Sequence, residues 1–131
     1  MDERRIFQIT VAVAVASLVP LCAGAAGVAL GPAMVDVGAA PIGADSHFRY
    51  LSGLLLGIGI GFATTIPRIE RRTPRFRLLT AIVVIGGLGR LWSLIAQGTP
   101  DRPMLAALVM ELAVTPLLAL WQARIAAPAR E

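Results

Sequence analysis

Four long apolar stretches follow one another with only short polar connections between them. They run over about Ile6–Leu30, Phe48–Ile66, Leu78–Gln97 and Met104–Trp121. A hydrocarbon core of about 30 Å is crossed by about 20 apolar residues in a helix, so each stretch is close to one membrane span. Lipid offers no hydrogen bonds to an open backbone, and a helix satisfies its own. The expected fold is therefore all-α: an integral membrane four-helix bundle, antiparallel and up-down. It forms a single transmembrane domain over residues 1–131, with helices at about 6–30, 48–66, 78–97 and 104–124. Composition agrees, with 56% hydrophobic and only 15% charged residues and a mean hydropathy of +0.75. A disordered chain needs the opposite balance. A water-soluble domain this small has too much surface to hide that apolar fraction.

The few charges are sorted along the chain. All twelve basic residues are arginine. Arg4 and Arg5 precede the first stretch, Arg68, Arg71, Arg72, Arg75 and Arg77 crowd the second connection (PRIERRTPRFR), and Arg124 and Arg130 close the chain. These nine fall on one side of the predicted bundle, and only Arg49 and Arg102 fall on the other. Arginine accumulates on the cytoplasmic side. Both termini and the arginine connection are therefore expected in the cytoplasm. Tyr50, Trp92 and Trp121 sit near span ends, where an interfacial aromatic belt belongs. A competing expectation treats the first stretch as a cleaved signal peptide, because MDERR leads into an apolar run and an Ala-Gly-Ala region. That run of about 25 residues exceeds the 7–15 of a signal core. The basic character does not point to nucleic acid, since no basic stripe interleaves with the seven aromatics.

Two ionisable residues fall well inside predicted spans. Arg90 lies in GGLGRLWS and Glu111 in LVMELAVTP. Each alone costs roughly 2.5–3.5 kcal/mol near mid-bilayer, so each is expected to face inward and find a partner. Arg90 stands seven residues before Gln97 and Glu111 seven after Met104, across a six-residue connection. At 1.5 Å per residue, both lie about 10 Å below the outer surface. An Arg90–Glu111 ion pair between antiparallel neighbours follows. Gly86, Arg90, Ser93 and Gln97 share one face of the third helix, and Ala107, Glu111 and Thr115 one face of the fourth. Pro116 is expected to kink the fourth helix below Glu111. On the second helix Gly53, Gly57 and Gly61 continue a four-residue stripe from Asp45 and Arg49, and small residues there permit close helix packing. Asp45 or Ser46 is a plausible N-cap.

Two readings of this constellation stand side by side. In one, Asp45, His47, Arg49 and Tyr50 form the outer rim of a polar chamber whose floor is Arg90, Ser93, Glu111 and Thr115. In the other, Arg90–Glu111 is a structural clip and the rim residues are caps and headgroup contacts. No catalytic set and no metal site are read, because His47 lacks companion ligands. The single Cys22 makes neither a disulfide nor a redox pair. No cofactor motif is present. The arginine connection is a topology determinant, with anionic-lipid binding as the sharper alternative.

The segments DSHFRYLSGLLLGIGIG, FRLLTAIVVIGGLGRLWSL and MELAVTPLLALWQAR, over about residues 6–124, resemble the small bacterial membrane proteins grouped as domain of unknown function 4345. The F-R-Y, G-x-x-R-x-x-S and E-L-x-x-T-P elements carry the resemblance. It implies a four-helix inner-membrane protein with Arg49, Tyr50, Arg90, Ser93 and Glu111 as family-like polar positions, and it implies no reaction. Size and layout are more loosely similar to DoxX-like membrane proteins, some of which act near quinones and thiol redox; this chain has one cysteine. Three functions are open: a non-enzymatic structural or accessory subunit, a small binding or transport protein for a lipid-soluble or anionic ligand, and a quinone-associated redox partner. The expected partners are the lipid bilayer and a second copy or another membrane protein.

Overall fold

The computed structural model describes residues 3–35 and 38–126. Arg130 lies outside them. The described residues are helical almost throughout and contain no strand. Helix α1 (Glu3–Leu30) continues into a 3-10 turn (Gly31–Val35), and α2 covers Ile42–Ala63. A second 3-10 turn (Ile69–Arg71) leads into α3 (Thr73–Gln97). The last rod is built from α4 (Arg102–Val109), a π-helical turn (Met110–Val114) and α5 (Thr115–Ala126).

Three of these helical stretches are long and apolar enough to cross a membrane: Glu3–Val35, Thr73–Gln97 and Arg102–Ala126. The second helix differs from its expected form. It starts at Ile42, six residues before Phe48, and ends at Ala63 rather than Ile66. Its early start takes Asp45, Ser46 and His47 into the helix beside Arg49, and its early end leaves out apolar Ile66, so it is not among the three. Pro41 occupies the N-cap, displacing the expected Asp45 or Ser46. Asp45 instead donates its backbone N–H to Pro41 O at 3.0 Å. The helix stops where Thr64 and Thr65 turn their hydroxyls onto Gly61 O and Phe62 O, ahead of Pro67, which has no N–H to continue it. Helix α3 likewise begins earlier than expected, at Thr73, because Pro74 suits a first turn. Arg75 and Arg77 therefore belong to the helix.

The chain divides into two compact units. In the first, Val11–Ile66, α1 and α2 run antiparallel, since Leu21 meets Gly59, Gly24 meets Leu56 and Gly27 meets Ser52. A methyl group at Gly24 would stand 2.7 Å from Leu56 Cα, and one at Gly59 2.9 Å from Leu21 N. These glycines make the close approach, and Gly53 and Gly57 of the expected ladder do not. Gly53 reaches only Val28 at 3.9 Å, and Gly57 has nothing within 4 Å. The reason is helical drift. Four residues turn the helix about 40° past a full circle, so a strict four-residue ladder winds off any straight interface. The packed stripe Ser52, Leu56, Gly59 alternates steps of four and three.

The second unit joins the beginning of α1, up to Thr10, with the chain from Pro67 onward. Helix α3 buries Thr73, Phe76, Thr80 and Gly87, again on steps of three, four and seven. Thr73 lies against Gln122 and Arg90 against Glu111, so α3 and the α4–α5 rod run in opposite directions. The outer face of α3 is apolar and open, with Leu78, Ile82, Ile85, Leu88 and Ile95 all exposed. Such a face suits lipid rather than water.

Candidate functional site

Two charged clusters form, one in each unit. In the second unit, Arg90 Nε donates to Glu111 Oε2 at 3.0 Å and Oε1 at 3.2 Å, and Nη2 donates to Oε1 at 3.1 Å. Nη1 points to Met104 Sδ at 3.1 Å. Both carboxylate oxygens are thus engaged by one guanidinium fork, the strong geometry for this pair. The side chains remain 33% (Arg90) and 18% (Glu111) exposed.

The backbone explains how the two meet. Gly87, one turn before Arg90, has no Cβ, and one placed there would lie 2.9 Å from Glu111 Cβ. Its absence lets the last rod approach until the Glu111 side chain crosses Gly87 and reaches Arg90. Glu111 itself sits in the π-helical turn Met110–Val114. The Thr115 N–H and Oγ1 both go to Met110 O, the hydroxyl at 2.7 Å. Pro116 follows directly. It lacks an N–H and its ring crowds the carbonyl four residues back, and widening the preceding turn accommodates it. The expected kink is thus met by a π turn. Thr115 serves that turn. Ser93 is exposed and off the Gly87–Arg90–Leu94 stripe, so it takes no part in the pair.

In the first unit, Arg49 Nε donates to Asp45 Oδ2 at 2.8 Å and Nη2 to Oδ1 at 3.3 Å. Nη1 donates to Val28 O at 2.7 Å and Ala29 O at 3.2 Å. The last carbonyls of α1 have no helical partner, and a cation suits that end of the dipole. Arg49 therefore caps α1 from α2, and Asp45 holds it in place. Gly31 makes room. Its φ of +63 is left-handed, and a Cβ there would stand 2.7 Å from Arg49 Nη2. His47 and Tyr50 lie exposed on α2. The expected chamber draws its rim and floor from different units. Within each unit the pair, Arg49–Asp45 or Arg90–Glu111, is satisfied locally.

A third polar contact was invisible in the sequence. Gln122, 1% exposed, donates Nε2 to Ile69 O and to Thr73 Oγ1, both at 2.9 Å. It ties the last turns of α5 to the start of α3. Its Oε1 and the Thr80 hydroxyl are buried with no protein partner. The only sequence hint was a Gln one residue beyond the fourth apolar run. Among the described residues, no three His, Cys, Asp or Glu side chains gather as a metal site would require.

The structure is that of an all-α protein with three helices able to cross a membrane, two of which carry the matched Arg90 and Glu111. The family model described as domain of unknown function (DUF4345) matches residues 8–122. The chain belongs to this family. No curated protein and no solved structure matches it, so the looser likeness to DoxX-like proteins is without support.

Proposed function

We propose that this chain is a four-span inner-membrane protein with a structural or accessory, non-catalytic role, in which the Arg90–Glu111 pair fastens α3 to the α4–α5 rod. The observation that carries it is the forked engagement of both Glu111 oxygens by Arg90 on consecutive helices. A pair so matched offsets the insertion cost of each charge and leaves little of either for a substrate. The second helix, at 22 residues, is about 33 Å long and spans despite its polar first turns. Asp45 and the α1 carbonyls satisfy Arg49, and the apolar part from Leu51 onward completes the crossing. Four spans with this arginine distribution favour both termini and the arginine connection in the cytoplasm. The test is charge exchange. Arg90→Glu and Glu111→Arg singly should lower the amount of folded protein in the membrane, and the double exchange should restore part of it. Failure of the exchange to recover anything beyond the worse single variant sinks the clip.

One observation favours a second reading, a binding or transport role for a lipid-soluble or anionic ligand. Glu111 lies in a π-helical turn, a feature frequent at functional sites. Native mass spectrometry separates the two. A stoichiometric small ligand lost in Arg90→Gln supports the second reading, and bare protein or bulk lipid supports the first.

A further inference from the structure

The segment from Pro67 to Arg77 carries five arginines and one acid, Glu70. Arg68, Arg71 and Arg77 are exposed, and Arg72 is half-buried with Nε donating to Pro67 O at 3.4 Å. Gln122 brings a sixth arginine to the same place. Its bonds to Ile69 O and Thr73 Oγ1 hold the last turns of α5 against this segment, and exposed Arg124 is two residues further on. Six guanidinium groups thus share one end of this unit. The first turn of α3 contains no acidic residue, and its N-terminal dipole adds positive potential to theirs.

Depth identifies what the exposed Arg68, Arg71, Arg77 and Arg124 face. Immediately after Arg77 the exposed face of α3 becomes apolar at Leu78 and continues through Ile82, Ile85, Leu88, Trp92 and Ile95, with Ser93 its one exposed polar side chain. The twenty residues from Leu78 to Gln97 rise about 30 Å, the thickness of a hydrocarbon core. On α5 exposed Leu117 and Leu120 likewise precede Arg124. The arginines therefore stand at the apolar–polar border on both helices, the level of lipid phosphates. A guanidinium fork grips phosphate oxygens two at a time. We infer that this end of the unit is a docking surface for the phosphates of anionic phospholipids, which hold it at the membrane face. The inference goes beyond a topology signal, because a topology signal acts during insertion and predicts no retained lipid. It requires that α3 and the last rod span the membrane. It is independent of the role of Arg90 and Glu111, whose charge exchange fails or succeeds separately.

The test uses the full chain in nanodiscs of phosphatidylcholine or of an equal mixture with phosphatidylglycerol, with a trace of spin-labelled phosphatidylglycerol or phosphatidylcholine. Labelled phosphatidylglycerol should be enriched at the protein over labelled phosphatidylcholine, and sodium chloride should reduce the enrichment. Arg68→Gln/Arg71→Gln/Arg77→Gln should lower it by at least about fivefold, the effect of a single such arginine at ~1 kcal/mol. Arg102→Gln, at the opposite end of the rod, should leave it unchanged. Equal partition of the two labels around the unmodified protein overturns the proposal, as does full enrichment around a folded triple variant. If inorganic phosphate releases the label where sodium chloride of equal ionic strength does not, the surface takes a free anion and the proposal fails. Should the triple variant not fold, the label preference of the unmodified chain and its salt dependence still decide.

Discussion

Gly87→Ala is the smallest change that addresses the helix contact beneath the ion pair. The added methyl would stand 2.8 Å from Leu112 Cδ2, 3.0 Å from Leu112 Cγ and 2.9 Å from Glu111 Cβ. Leu112 can rotate its branch aside. Glu111 Cβ is fixed to its backbone and cannot. Carbon atoms rest comfortably at about 3.5–4.0 Å, so the rod must retreat by about 0.8 Å at this level. Bonds of 3.0–3.2 Å between Arg90 and Glu111 would then stretch towards 4 Å, beyond useful hydrogen-bond length, unless the arginine follows. Overpacking and a weakened charged bond together should cost about 2 kcal/mol. The assay is thermal unfolding of purified protein in a mild detergent, with Gly57→Ala as control because nothing lies within 4 Å of Gly57. The same substitution in a Glu111→Gln background should cost clearly less, since the pair it disturbs is already lost. An equal loss in both backgrounds, or a loss at Gly57 as large as at Gly87, refutes the coupling between this glycine and the pair.

Three further outcomes follow from the other contacts. Gly31→Ala should destabilise by about 1–2 kcal/mol, because it forces a left-handed φ on an L-residue and pushes into Arg49; thermal unfolding beside Arg49→Ala, which removes the α1 cap, should show the two losses to be less than additive. Thr80→Val should be neutral or raise the unfolding midpoint, since its buried hydroxyl has no partner, whereas Thr73→Val should lower it by about 1 kcal/mol through loss of the Gln122 bond; a destabilised Thr80→Val would reveal a partner such as an ordered water. Single cysteines introduced at residues 70 and 100 in a Cys22→Ser chain should label from opposite faces of intact cells, residue 100 from outside; labelling of both from one face would contradict the proposed topology.

The helical segments were readable because twenty-residue hydropathy is a long signal that no single residue can overturn. Helix starts were less so. Pro41 and Pro74 set them, and the charged residues that seemed to belong to connections were taken into the first turns. Arg90 and Glu111 could be matched in depth because a short connection fixes consecutive helices in register. Arg49 was legible as a polar position but not as a cap, since its carbonyl partners lie about twenty residues away on another helix. Gly53 and Gly57 were misplaced as packing glycines because equal spacing by four is conspicuous in a string yet drifts on a helix. Gln122 was missed because a lone amide at the end of a span resembles a solvated terminus, and only the structure brings Ile69 and Thr73 to it.

The central claim is that Arg90 and Glu111 stabilise the protein through each other. A double-mutant cycle of Arg90→Gln, Glu111→Gln and the double variant, read by reversible unfolding in detergent or bicelles, measures that directly. The account predicts a loss of about 2 kcal/mol for each single variant and a favourable coupling of about 1–2 kcal/mol, so that the double variant is less damaged than the sum. Strictly additive losses, or single variants as stable as the unmodified chain, would contradict it.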